Sequence, residues 1–358
     1  MNIQAARILI KSSKYNDAIE LIDRLSEQEK NSKEALFIRG CAHQATGNIR
    51  AAEKDWQNAI KQDGNDPALL SNLGRLYYDE KKYRNAAKYF SLLANSGHAS
   101  HESWYYLAEC LLNLNLVDQG CKAIGQYLKA SNLNEEAFNK ACRLLQEYHK
   151  DKELALLSAK AANIFTNTAT FAIYQAKAYI KLSLYENAEK CLLGNPSAQK
   201  TVTGSLYMAI CRLRLNDYRG SEKYITQILS KDPNHMTGNI LLGQLNYLQG
   251  NCERALATWN RTLNIRQNNQ HPETFFWLAK YYYENTNESK KAIDFISKEI
   301  RITEGAREES HCILITSLLT ISDLKGAKKA FSVAKFRFPC SMQIESLRSY
   351  VEESSQIN

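Results

Sequence analysis

Apolar residues recur at three- and four-residue spacing over short stretches, and each stretch ends in a small or polar turn. Residues 67–100, PALLSNLGRLYYDEKKYRNAAKYFSLLANSGHAS, show the unit. Leu70, Leu73, Gly74 and Tyr77 mark one face of a first helix. Ala86, Phe90 and Leu93 mark one face of a second, with Tyr83 near the turn. A single pair of this kind cannot bury its apolar face, so the pattern is expected to repeat. Aligned on Gly74, the position recurs at Ala6, Gly40, Gly74, Ala108, Cys142, Ala176, Ala209, Gly243, Ala279 and Ile315. The first six are 34 residues apart, and the later steps are 33, 34, 36 and 36. Twelve residues after the marker a second small residue usually appears: Ala18, Ala52, Ala86, Gly120, Ala188, Ser221, Ala255 and Ala327. Two antiparallel helices that approach closely need a small side chain on each facing surface, with large apolar residues such as Trp56, Phe90, Trp259 and Phe331 around it.

This pattern resembles the tetratricopeptide repeat. Leu73-Gly74, Tyr77, Tyr83, Ala86 and Phe90 match its consensus in the third unit. Asn216-Asp217-Tyr218 and Asp232-Pro233-Asn234 match its turn and its close in the seventh. The resemblance covers residues 1 to about 340 as ten units in phase. It implies an all-α, right-handed superhelical solenoid of antiparallel helix pairs, closed by a capping helix at the C-terminal end.

The expected organisation is an N-terminal arm over residues 1–148, with units one to five and a truncated first pair. Residues 149–200 are irregular and read as a bend or hinge. In the fifth unit the second helix reads as displaced by one residue, so that Ala155, Ala159 and Ala162 pack. In the sixth, Gly194-Asn195-Pro196 stops the second helix early. A C-terminal arm with units seven to ten spans 201–340, with a capping helix over 341–353 and a disordered tail over 354–358. In the first unit Tyr15, Ala18, Ile22 and Leu25 are expected on a normal second helix. In the cap, Ile344, Leu347 and Val351 are expected to cover the last repeat while Glu345, Arg348 and Glu352 face water.

A repeat array overrides the length prior of two or three domains, because it grows by adding units rather than cores. The formal charge of +8 comes from basic residues interspersed with acids. No Lys/Arg run marks a nucleic-acid arm. Nine cysteines without a C-x-x-C pair, most at packed repeat positions, speak against a disulfide framework and against a zinc site. The N-terminus has no secretory signal pattern and no window suggests a membrane span, so a soluble, cytoplasmic protein without membrane insertion is expected.

Catalytic chemistry finds little support. His98, His101 and Glu102 form the only histidine cluster, but their order does not fit the metalloprotease motifs, which need H-E-x-x-H or H-x-x-E-H on one helix. No nucleophile elbow, phosphate loop or dinucleotide fingerprint is present. The chain is therefore read as a non-enzyme without metal or cofactor.

In the tetratricopeptide family, first helices line a concave groove. The resemblance places three columns there, at the residues three before, one after and four after the marker. The first holds Phe37, Tyr105, Asn139, Ile173, Leu206, Ile240 and Phe276, with Ser71. The second holds Arg75, Arg143, Lys177, Ile210, Gln244 and Lys280, with Cys41 and Glu109. The third holds Tyr78, Ile180, Leu213, Tyr247 and Tyr283, with Leu112 and Gln146. Ile173, Leu206, Ile240 and Phe276 form an apolar strip over four units, and solvent-facing strips of that length mark interaction surfaces. With the interleaved cations, the expected partner is a protein or peptide segment, apolar with some acidic residues. The same strip could instead be buried by tight curvature or by a second copy of the chain, and self-association stays open.

Two family subtypes fit less well. Chaperone-tail binders carry a Lys/Asn clamp, where this chain has Ser71/Arg75 and Asn139/Arg143. Repeats fused to sugar transferases carry an asparagine ladder, of which only Asn72 is present. One-unit-per-base RNA readers need small polar residues where these columns are apolar or aromatic. The expected function is an adaptor, scaffold or assembly factor. A peptide- or ligand-sensing regulator, or an accessory subunit of a larger synthase or transport complex, is the alternative.

Overall fold

The computed structural model describes residues 2–265 and 271–353, so the tail expected over 354–358 lies outside the described residues. Among the described residues there are twenty-four helices and no strand. The chain divides into two compact units, Met1–Thr166 and Asn167–Asn358.

The first unit is a stack of five helix pairs. In chain order these are α1 (Asn2–Lys11) with α2 (Tyr15–Asp23), the short α3 (Glu27–Lys30), α4 (Lys33–Ala45) with α5 (Ile49–Gln62), α6 (Pro67–Asp79) with α7 (Tyr83–Asn95), α8 (His101–Asn113) with α9 (Val117–Ala130), and α10 (Glu135–Glu147) with α11 (Asp151–Ile164). The second unit stacks α12 (Thr170–Lys181) with α13 (Tyr185–Leu193), the short α14 (Pro196–Gln199), α15 (Val202–Arg214) with α16 (Tyr218–Lys231), α17 (Met236–Leu248) with α18 (Cys252–Leu263), α19 (Pro272–Asn285) with α20 (Ser289–Ile302) and α21 (Glu308–Thr320) with α22 (Leu324–Arg337). It ends in α23 (Met342–Ser346) and α24 (Arg348–Glu353).

Local chemistry sets the ends of these helices. First helices open on side-chain caps: Asp66, Ser100, Asn134 and Thr201 each accept from a backbone amide of the first turn, and Pro67 occupies a position whose N–H needs no partner. The turns inside the pairs share one device. Ser13, Gly47, Lys81, Asn115, His149, Ser183, Asn216, Gly250 and Ser322 are left-handed, in step with the sequence repeat. The next amide then reaches back over the helix end, as Lys82 N does to Tyr77 O, Leu116 N to Leu111 O and Lys150 N to Leu145 O, each at 2.8 Å. The ninth pair has an equally short turn, 286–288, after a first helix one residue longer than α6, and lacks the left-handed residue there.

All ten marker positions are buried. At the glycine and alanine markers the residue sixteen or seventeen later on the second helix compensates in volume. Glycine markers meet aromatics: a Cβ on Gly40 would lie 2.4 Å from Trp56, on Gly74 2.8 Å from Phe90, and on Gly243 2.1 Å from Trp259. Alanine markers meet aliphatics of intermediate size, with Ala6 and Ile22, Ala176 and Leu192, Ala209 and Ile225, and Ala279 and Ile296 in shared core clusters. Cys142 is buried with Ser158 at its paired position. At these pairs the small marker leaves the room that the large facing residue fills.

Three local expectations are corrected. The fifth pair is regular: Leu154, Ser158 and Ala161 are buried, Ala155 is buried as expected, Ala159 and Ala162 are only half-buried, and His149 makes the common turn. The bulk of Leu154 at a usually small position is offset by Ser158 where other pairs carry a large residue. The second helix of the first pair stops at Asp23, so Leu25 packs from outside it, and Ser26 with Glu29 starts α3 through a capping box. Across 341–353 the chain forms two short helices broken at Leu347. Ile344 and Val351 are buried beneath them as expected, and Arg348 and Glu352 are exposed, but Glu345 is held half-buried by Lys335 at 2.6 Å.

Candidate partner-binding groove

In the first unit, α6, α8 and α10 bring together the residues expected in a groove. Tyr78 of α6 sits 4.7 Å from Tyr106 between ring centroids, and Tyr105 meets Tyr127 of α9 edge-on at 5.4 Å. Arg75 lies 4.5 Å over the Tyr106 ring, donates to the Tyr106 hydroxyl and pairs with Asp79 at 3.1 Å. Such a stack of half-buried phenols and a guanidinium is rigid and amphipathic, which suits an adaptable contact surface.

Glu109 lies among these rings. Burial raises its carboxyl pKa above the usual range, against the opposing effect of the Tyr78 hydroxyl. Burial, and then the Glu109 charge, pushes the Tyr105 phenol up to about 12 and also raises Tyr78. The phenols therefore stay neutral donors at physiological pH. Beside them opens a cleft of about 420 Å³ whose lining includes Glu102, Tyr105, Tyr106, Lys140, Arg143 and Glu147. Lys140 is paired with Glu136 at 2.8 Å, while Arg143 is exposed and makes no ion pair among the described residues. A second cleft of about 360 Å³ includes Phe37, but its charges are satisfied internally, by Arg7 with Glu34 at 2.8 Å and Lys33 with Asp66 at 3.0 Å. Asn139 is half-buried.

The second unit treats the same columns differently. Ile240 and Phe276 are 2% and 3% exposed and belong to one core cluster with Trp259, Trp277 and Ile313. These two members of the strip expected to face solvent are thus inter-repeat core, in a cluster shared by α17, α19 and α21. Arg307 covers the Phe276 ring at 3.9 Å. Leu213 and Gln244 are also buried, and Ile173, Lys177, Ile180, Leu206 and Ile210 are half-buried. Tyr247 packs on Trp259 and Trp277 and binds Asn285 Nδ2 through its hydroxyl at 3.0 Å. Lys280 is held by Glu309 at 2.6 Å, leaving Tyr283 as the exposed member.

Sequence reasoning missed Tyr106, Tyr127 and Lys140. Tyr106 and Lys140 stand two residues before their markers, at the position of Asn72 and outside the three columns, and Tyr127 comes from a second helix, whose residues the family pattern does not send to the groove. Below the surface of the second unit, Glu299 is fully buried with Arg307 Nε 3.8 Å away. Burial raises its pKa, against the opposing effects of the Ser310 hydroxyl and the Arg307 charge. Among the described residues no group of three or more His, Cys, Asp or Glu is placed to hold a metal ion, and no helix is long and apolar enough to cross a membrane.

A tetratricopeptide repeat family model matches residues 39–100 and 208–272. A TPR repeat-containing protein of Methanocaldococcus jannaschii is 22% identical over 335 residues, covering 92% of this chain and 55% of the archaeal protein. The chain thus spans about half the length of that relative. Among solved structures, a chain of Naa15/Naa10 bound to HypK-THB superposes with a TM-score of 0.56 at 12% identity, over 98% of this chain and 66% of that one. A chain of the APC/C hetero-tetramer Cut9–Hcn1 gives 0.52 at 12%, over 99% and 83%. At these identities the likeness is one of fold.

Proposed function

Because this chain is a tetratricopeptide-repeat protein, we propose that it is a non-catalytic interaction scaffold whose working surface is the tyrosine-lined cleft of its first unit. The carrying observation is the cleft beside Tyr105 and Tyr106 with the unpaired Arg143 at its edge. The occupant is an extended protein segment that lays apolar side chains on the phenol faces and offers a carboxylate to Arg143. Fold alone does not supply this function; the reading rests on the exposed chemistry of the cleft. Whether the scaffold acts as adaptor, assembly factor, regulator or accessory subunit follows from the identity of that segment.

Selection of displayed random peptides on the full chain tests the reading. Enriched peptides should pair an acid with aromatic or aliphatic residues. Arg143→Glu, combined with Tyr105→Ser, should weaken the selected peptides by at least about tenfold, as loss of a charged hydrogen bond and an aromatic contact does. Circular dichroism establishes that the variant is folded. Selected peptides that bind wild type and variant equally would place the working surface elsewhere.

A further inference from the structure

The last helix pair of the second unit presents an unpartnered basic face. Helix α22, LKGAKKAFSVAKFR, carries Lys325, Lys328, Lys329, Lys335 and Arg337 and no acidic residue. Only Lys335 is ion-paired among the described residues, to Glu345 at 2.6 Å; the other four cations are exposed. The inner side of the helix is accounted for, since Ala327 and Ala334 are buried and Phe331 and Phe338 pack against the cluster of Ile315, Ile344 and Val351. On the outer side Phe336 is 88% exposed, with Val333 also exposed. At 3.6 residues per turn, Lys325, Lys329 and Phe336 point within about 40° of one another, and Lys328 and Arg337 flank them. Met342, 85% exposed, stands on the neighbouring α23.

We propose that this face docks on the anionic surface of a lipid bilayer. The charge is uniformly complementary to acidic headgroups, and cations near such a surface each strengthen binding. The apolar side chain sits at the centre of the cationic arc. A ring placed there enters the interfacial zone while the lysines on either side keep their ammonium groups at phosphate level. An acidic polypeptide would satisfy the cations but give the central ring no apolar environment. Neither the fold nor the cleft of the first unit requires these residues, so the proposal stands apart from the scaffold reading.

The test is co-sedimentation of the full chain with phosphatidylcholine vesicles, with and without phosphatidylglycerol, over a range of salt concentrations. Binding is expected only to the anionic vesicles and should decline as salt rises. Lys325→Glu with Lys329→Glu should lower the partition coefficient at least about tenfold, and Phe336→Ser about fivefold. Lys152→Glu, an exposed lysine of the first unit, should leave it unchanged. All four positions are exposed, so loss of fold does not confuse the result. Equal partition to neutral and anionic vesicles, absence of binding at low salt, or variants that bind like wild type would each overturn the proposal. Two further outcomes would replace it: displacement by soluble polyglutamate without any dependence on Phe336 would indicate an acidic polypeptide, and self-association abolished by Phe336→Ser would indicate a second copy of the chain.

Discussion

Replacing Gly243 by alanine is normally stabilising inside a helix, by about 1 kcal/mol. Here it should be destabilising, because the paired-volume packing leaves no room. The added Cβ would stand 2.1 Å from Trp259 Nε1, 2.5 Å from Cδ1 and 2.6 Å from Cε2. The ring must therefore retreat by more than about 1 Å to reach ordinary contact distance. It is pinned on two sides, by the bond from Nε1 to Ile240 O at 3.3 Å and by the Trp277 ring stacked at 5.6 Å. Overpacking of a filled core costs about 1–3 kcal/mol, and loss of the indole bond about another 1 kcal/mol. Set against the helix-propensity gain, the net is a destabilisation of about 1–3 kcal/mol. Urea unfolding followed by circular dichroism measures it, with hydrogen exchange of the α17 and α18 amides as the local readout, since repeat arrays need not unfold in one step. Gly125→Ala in α9 is the control: its Cβ meets nothing within 4 Å, so it should stabilise. Trp259→Leu alone leaves a cavity and should cost about 2–4 kcal/mol. Combined with Gly243→Ala, it recreates the Ala176 and Leu192 pairing, so the double variant should be clearly more stable than the sum of the singles. Additive singles, or a Gly243→Ala protein as stable as the Gly125→Ala control, would refute the volume-pairing argument.

Two further outcomes follow from buried charge. Asp55 is 5% exposed and takes both Arg39 Nε and Nη2 at 2.8 Å, so Asp55→Ala strands a half-buried guanidinium and should cost about 3–5 kcal/mol in urea unfolding; a loss below about 1 kcal/mol would mean that Asp23, at 2.7 Å, suffices as partner. Glu299 has a folded-state pKa above its ordinary 4.5, so the native state holds its proton longer than the unfolded chain does and stability drains as pH rises above 4.5 through the folded value. Glu299→Gln should remove that decline, and the melting-temperature difference between variant and wild type should widen with pH over this range; a difference independent of pH would show that Arg307 already compensates the charge.

The repeat was legible in the sequence because its determinants are local. A marker and its partner sixteen residues on, such as Gly74 and Phe90, lie on the two helices of one hairpin, so a single unit must satisfy them, and ten units in phase repeat the demand. The same holds for the stop of α13 before Asn195-Pro196, where proline acts on the backbone beside it. The fifth pair misled because a large Leu154 at a small position looks like a shift in register until its compensation by Ser158 is seen.

What the sequence by itself determined is therefore the hairpin: its length, its turn, and the small and large residues that set its width. Only the tertiary structure decided which columns meet water. Ile240 and Phe276 occupy the same repeat position as Tyr105, yet the first two are sealed in a seam and the third edges a cleft. That outcome depends on how closely successive first helices approach, which is set by contacts between hairpins. Phe276 meets Arg307, and Tyr78 meets Tyr106, across separations that no periodicity within one hairpin encodes. The exposed ring of Phe336 has the same origin: its register placed it on a last helix, but only packing showed which side of that helix was left uncovered.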